Sequence, residues 1–174
     1  TSAASVTDML KKLKQKKLLH YQPYRGFKLS VEGKKVALDI VRRHRLWEYF
    51  LSEKLKFTWD EVHELAEDLE HINNKKLTDR LDEYLGHPKF DPHGDPIPDS
   101  FGKMINNPLV DLTKVAENKS VEVCNVGNQS TEILDLLKHH KIQIGTRLEV
   151  KRIFPFDQSM EIKVKTFPAI TISE

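Results

Sequence analysis

The segment SVEGKKVALDIVRRHRLWEYFLSEKL (residues 30–55) sets Val36, Ile40, Leu46, Trp47, Phe50 and Leu51 at helical spacing, which predicts one long amphipathic helix starting at Ser30. A shorter helix over about residues 59–72 follows KFTWD, and NNKKLTDRLDEYLG gives a further helix that stops at Gly86. Upstream, ASVTDMLKKLKQKK (4–17) reads as a helix with Ser5 as its N-cap and Met9 and Leu13 in a core. LLHYQPYRGFKLS (18–30) reads as a hairpin around Pro23, Arg25 and Gly26.

Downstream the character changes. HPKFDPHGDPIPDS (87–100) holds four of the eight prolines and reads as ordered turn or linker, with His87 and His93 as solvated or turn residues. Residues 101–119 are poorly patterned and connect two domains. From Ser120 come VEVCNV, IGTRLEVKRIF, MEIKVKTF and AITIS, with a short helix, STEILDLLKHHK, between the first two. Short strands with turns between them predict a small β-barrel. Cys124 is expected as a buried strand residue, and His139 and His140 as solvated ones.

A single cysteine excludes an internal disulfide framework and fits a reducing cytosol. No run of eighteen apolar residues exists, so no membrane-spanning helix is expected. The net charge of +2 conceals an asymmetry. Residues 1–45 hold 12 Lys and Arg against 3 Asp and Glu, residues 46–99 hold 6 against 14, and residues 100–174 hold 10 against 9. A basic block suits a polyanion and an acidic block suits a cation.

The acidic block contains EVHELAEDLEH (61–71). At about 100° per residue, with His63 at zero, Glu67 falls near 40°, Glu70 near −20° and His71 near 80°. These four share one arc, apart from the apolar arc of Val62, Leu65, Ala66, Leu69 and Ile72. Side chains at i, i+3 and i, i+4 can converge on one divalent ion, and His44 and Glu48 repeat that spacing on the preceding helix. An acidic helix with two histidines is also what a solvated surface looks like, and Glu61, Glu64 and Asp68 fit that reading.

At the basic end, a lysine-rich helix followed by a hairpin and a long helix reads as the back half of a winged helix-turn-helix. Ser2, Ser5, Thr7 and Asp8 would lie at the groove end of the helix, with Lys11, Lys12, Arg25 and Lys28 beside phosphates. An isolated lysine run can equally solvate a helix end.

VRRHRLWEYFL (41–51), DEVHELAEDLEHI (60–72) and DPHGDPIPD (91–99) together resemble the diphtheria toxin repressor family of metal-dependent transcriptional repressors. The resemblance covers nearly all of the chain and implies an α+β protein. Residues 1–36 would be a partial winged helix-turn-helix, 37–99 a helical metal-binding and dimerisation domain, 100–119 a linker and 120–174 a Src-homology-3-like barrel. It implies a primary, regulatory metal site at Glu67, Glu70 and His71 and an ancillary site at His44, Glu48 and His63. Gln129 and Glu132 lie where the barrel of some members lends ligands to the ancillary metal.

Glu67 stands where iron-sensing members carry cysteine, which resembles the manganese-sensing branch, although that branch often lacks a ligand like His63. Carboxylate and imidazole without thiolate suit manganese(II) and tolerate iron(II). The family pattern places about two further helices, the first donating another primary-site ligand, before the position of Thr1. The function implied is a cytoplasmic, homodimeric repressor of metal-uptake genes that binds double-stranded operator DNA and has no small-molecule substrate. Trp47, Phe50, Leu51, Leu77 and Leu81 are the expected dimer contacts. A hydrolase built on the same cluster would leave the basic end idle, and a metal-buffering iron-transport accessory protein would explain only the barrel.

Overall fold

A computed structural model of the chain describes residues 3–22, 26–165 and 167–173. Helix α1 (Ala3–Gln15) leads into a hairpin of β1 (Leu19–Gln22) and β2 (Gly26–Leu29), paired antiparallel with Leu19 opposite Leu29. Ser5 lies inside α1 instead of capping it, because the two good helix formers Ala3 and Ala4 carry the helix upstream. Met9, expected in a core, is 59% exposed; Leu10 and Leu13 are half-buried, while no described element covers the side of Val6 and Met9.

Helix α2 (Val31–Glu53) begins as its sequence dictates, with Ser30 as N-cap accepting the Gly33 N–H at 2.9 Å. The same hydroxyl donates to the Lys17 carbonyl at 2.7 Å, and the Ser30 N–H donates to the Leu18 carbonyl at 3.0 Å. The hairpin is thereby pinned to the first turn of α2. Only glycine fits there: a Cβ on Gly33 would stand 1.8 Å from the Leu18 carbonyl oxygen.

Helix α3 (Val62–Glu70) packs Val62 and Ala66 against Leu51, with Trp47 and Leu69 at the margin. Helix α4 (Lys75–Tyr84) is capped by the Asn74 side chain and ends before Gly86, whose φ of +76° is the left-handed conformation that terminates helices. Leu81 joins Leu46 and Ile97 in a second cluster. Buried Arg42 ties α2 to α4 through Asp79 and Asp82, both at 2.9 Å. Two expected dimer contacts are corrected here. Leu51 and Leu81 are 4% and 9% exposed within one protomer, so they have little surface left for a partner to bury. Trp47 and Phe50 are half-buried, and Leu77 stands exposed.

Past a 3-10 turn (Leu112–Lys114), strands β3 (Lys119–Glu122), β4 (Arg147–Ile153), β5 (Met160–Val164) and β6 (Ile170–Ile172) form one antiparallel sheet in chain order. Helix α5 (Thr131–His139), capped by Ser130, links β3 to β4. Leu148, Val150, Met160, Ile162 and Val164 alternate inward and make the core with Ile142. The sheet is an open meander of Src-homology-3-like kind, in which the outer strands β3 and β6 are not neighbours. Cys124 is neither buried nor in a strand: β3 ends at Glu122, and the exposed Sγ donates back to the Glu122 carbonyl at 3.4 Å.

Candidate metal centre

The apolar contact of α3 with α2 turns His63 toward the face of α2 that carries His44 and Glu48, one helical turn apart. Glu48 Oε1 lies 3.0 Å from His44 Nε2 and 3.2 Å from His63 Nδ1, and those two nitrogens are 3.2 Å from each other. Glu48 is 1% exposed, so its charge is almost wholly removed from water. Burial pushes its carboxyl up, but hydrogen bonding and charge from His44 outweigh this and hold it below the usual range.

His44 faces carboxylates through both ring nitrogens, with Nδ1 2.9 Å from Glu70 Oε2. Burial pushes its pKa down, yet Glu48 and then Glu70 raise it above the ordinary histidine value. The two carboxylates thus favour a proton on His44, and a cation bound through that ring competes with it.

A second group was missed in the sequence. His93 lies in a turn, as expected, but it is 0% exposed and not solvated. Ile97 packs on Leu46 and Leu81, and this long-range contact draws the 91–98 turn onto α2. Asp91 Oδ1 accepts the His93 and Asp95 N–H groups at 2.8 and 2.9 Å, which shapes the turn. His93 Nε2 donates to the Trp59 carbonyl at 2.8 Å, so in the neutral ring Nδ1 carries the lone pair. That Nδ1 is buried without a hydrogen-bond partner, 3.7 Å from Glu48 Oε1. Ligand atoms of Glu48, Asp91 and His93 lie within 4.8 Å of one another, as do those of His44, Glu48 and His63.

Burial, and then the negative charge of Glu48, push the Asp91 carboxyl up to about 6. Two buried carboxylates and an orphaned imidazole lone pair are a donor set that fits a divalent cation. The backbone carbonyl on the far nitrogen of His93 sets the tautomer that such ligation needs.

The other expected ligands stand at the margin. Glu67 is exposed, with Oε1 3.7 Å from His63 Nε2. His71 is exposed at the C-cap of α3, outside both groups, and Glu70 is spent on His44. Glu132 is exposed in the first turn of α5, and the Gln129 amide donates to Asp95 Oδ2 at 2.8 Å. Among the described residues, Glu132 joins neither group of converging donors.

At the basic end Lys12 and Lys28 are exposed, Lys11 pairs loosely with Asp8 at 3.7 Å, and Ser5 and Thr7 lie on α1. Ser2 and Arg25 fall outside the described residues. Among those residues, no helix is long and apolar enough to cross a membrane.

Residues 30–99 match the family model described as iron dependent repressor, metal binding and dimerisation domain. The chain is 29% identical over 175 residues to the iron-dependent repressor IdeR of Mycobacterium leprae, covering 97% of this chain and 72% of that protein. A solved structure of a manganese-dependent transcriptional repressor in complex with manganese superposes with a TM-score of 0.88 at 31% identity. The match spans 100% of this chain and 80% of that one. The repressor ScaR with bound Cd2+ gives 0.86 at 30% identity, over 99% of this chain and 81% of that one.

Proposed function

Because the chain belongs to the iron dependent repressor family, we propose that it is a transcriptional repressor that senses manganese(II) or iron(II) and controls metal-uptake genes. It acts as a homodimer on double-stranded operator DNA in the cytoplasm. The relatives that match it over most of its length are repressors. The observation that supports metal sensing most directly is Glu48, buried among His44, His63 and His93 with one imidazole nitrogen left unpartnered.

Residues 1–36 approach DNA, residues 37–99 hold metal and dimerise, residues 100–119 link, and residues 120–174 form the Src-homology-3-like domain. When bound, the cation supplies the positive charge that the carboxylates of α2 and of the 91–95 turn lack. His44, Glu48 and His63 then hold α2 and α3 in one arrangement, and Asp91 and His93 add the turn. Glu67, Glu70 and His71 form the regulatory site on the neighbouring face. Glu70 Oε2 already sits on the outer nitrogen of His44, so the two sites touch through one imidazole. Metal binding and DNA binding are coupled by whatever spacing of the two recognition helices this arrangement favours, with half-sites about 34 Å apart or a multiple of it.

A reporter gene behind the protein's own upstream region tests the regulatory site. Glu70→Ala and His71→Ala should each abolish repression by added manganese or iron while leaving the dimer intact on gel filtration. Normal repression by either variant would remove that residue from the site. Lys12→Ala addresses the basic end: DNA binding should weaken across all sequences, and the slope of log affinity against log salt should flatten by about one. An unchanged slope would mean that Lys12 touches no phosphate.

A further inference from the structure

We propose that Asp95 is a positioning residue through which the C-terminal domain holds the metal turn in shape, supporting the ligands Asp91 and His93 without donating a ligand of its own. This rests on reading Glu48, Asp91 and His93 as a metal-holding set.

The turn is closed on itself. The Asp91 N–H donates to the Asp95 carbonyl at 3.0 Å, the Gly94 N–H donates to the Asp91 carbonyl at 3.1 Å, and the Asp91 side chain accepts from His93 and Asp95. The directions in which Asp91 and His93 point are therefore set by the conformation of five consecutive residues. The side chain of Asp95 leaves the turn and meets the loop between β3 and α5. Its Oδ1 accepts from Asn125 Nδ2 at 3.0 Å, and its Oδ2 accepts from Gln129 Nε2 at 2.8 Å. Arg45 stands 3.5 Å from the same Oδ2 and 3.4 Å from Asp91 Oδ2, bridging the two carboxylates from α2.

The backbone adds a second hold. The Val126 N–H donates to the His93 carbonyl at 3.0 Å. Gly94, at a φ of +88°, lies so close to this loop that a Cβ would stand 2.0 Å from the Cys124 carbonyl oxygen. Residues 93, 94 and 95 are thus each gripped by residues 124–129. Gln129, which the family resemblance places as a ligand, gives its amide nitrogen to Asp95.

A carboxylate that holds ligands in place lowers the ordering cost of binding, and losing such an outer-sphere partner typically weakens metal affinity by about 10- to 100-fold. Removing the Asp95 side chain frees the turn on one side and leaves the Asn125 and Gln129 amides with only their 3.4 Å bonds to the His93 and Val126 carbonyls. Asparagine at this position can keep both bonds, because its oxygen accepts from Asn125 while its nitrogen donates to a flipped Gln129 oxygen.

The test uses the full chain titrated with cobalt(II), with absorption reporting the coordination and hydrogen exchange reporting the Val126 amide. Melting curves in chelator check that each variant is folded. Asp95→Ala should bind about 10- to 100-fold more weakly, with a wild-type shape to the absorption bands and faster exchange at Val126. Asp95→Asn should recover most of the affinity. Gln129→Ala, on the C-terminal domain itself, should weaken binding in the same direction and serves if Asp95→Ala does not fold. Wild-type affinity in Asp95→Ala, or in Gln129→Ala where that variant stands in for it, overturns the proposal, as does an Asp95→Asn variant as weak as the alanine. His93→Ala separates the two readings. If it too binds at wild-type affinity, the metal-site reading fails and the proposal falls with it. If it binds weakly while Asp95→Ala does not, only the proposal fails.

Discussion

Glu48→Gln is expected to lose metal binding at the centre it shares with His44, His63 and His93 almost completely, while the protein stays folded. Glu48 is the one residue common to both groups of converging donors, and its Oε1 reaches His44 at 3.0 Å, His63 at 3.2 Å and His93 at 3.7 Å. Glutamine keeps the volume of the side chain, so no cavity opens in a well-packed interior. It removes the negative charge that both attracts the cation and raises the His44 pKa. The loss of affinity should exceed the roughly 10- to 100-fold typical of an outer-sphere partner. Calorimetric titration with manganese(II) measures it, and a change of less than tenfold would place the metal elsewhere.

Gly33→Ala is expected to disconnect the hairpin from α2 and to leave the metal centre alone. In an open helix this substitution would add stability, since glycine costs about 1 kcal/mol relative to alanine. Here the new Cβ would meet the Leu18 carbonyl carbon at 2.7 Å and its oxygen at 1.8 Å, and both are backbone atoms that no rotamer change can move. Relief requires the hairpin to shift, which strains the bonds from Ser30 to Lys17 and Leu18. Forced overpacking of this kind costs about 1–3 kcal/mol, more than the helix gains. Thermal melting should show a destabilised protein, and anisotropy should show weakened DNA binding at wild-type manganese affinity. A variant as stable as wild type would refute the close approach.

Much of this fold can be read locally. Ser30, Asn74 and Ser130 cap the helices that follow them, because a side-chain oxygen meeting a free N–H needs only neighbours in sequence. The arc that separates His63 from Val62 and Ala66 also follows from helical geometry, and α3 packs accordingly. His93 was opaque for the opposite reason. DPHGD has the residues of an exposed turn, and its burial depends on Ile97 finding Leu46 and Leu81 across the chain. The available signal was an Asp two residues before the histidine and Gly94 after it, an Asx turn that fixes a ring in place. Leu51 and Leu81 look like interface residues on a helical wheel, and only the packing of α3 and the 91–98 turn assigns them to the protomer. Cys124 has the pattern of a strand, but the loop bends there to meet Gly94.

The central claim is that divalent metal held around Glu48, coupled through His44 to the Glu67, Glu70 and His71 site, licenses DNA binding. It is tested most directly by anaerobic fluorescence anisotropy of a labelled duplex from the protein's own upstream region, titrated with manganese(II) and then iron(II). The wild-type chain should bind only when metal is present, and Glu48→Gln should fail to bind at the same metal concentrations. Binding that ignores metal, or a Glu48→Gln variant that responds to it like wild type, would contradict the claim.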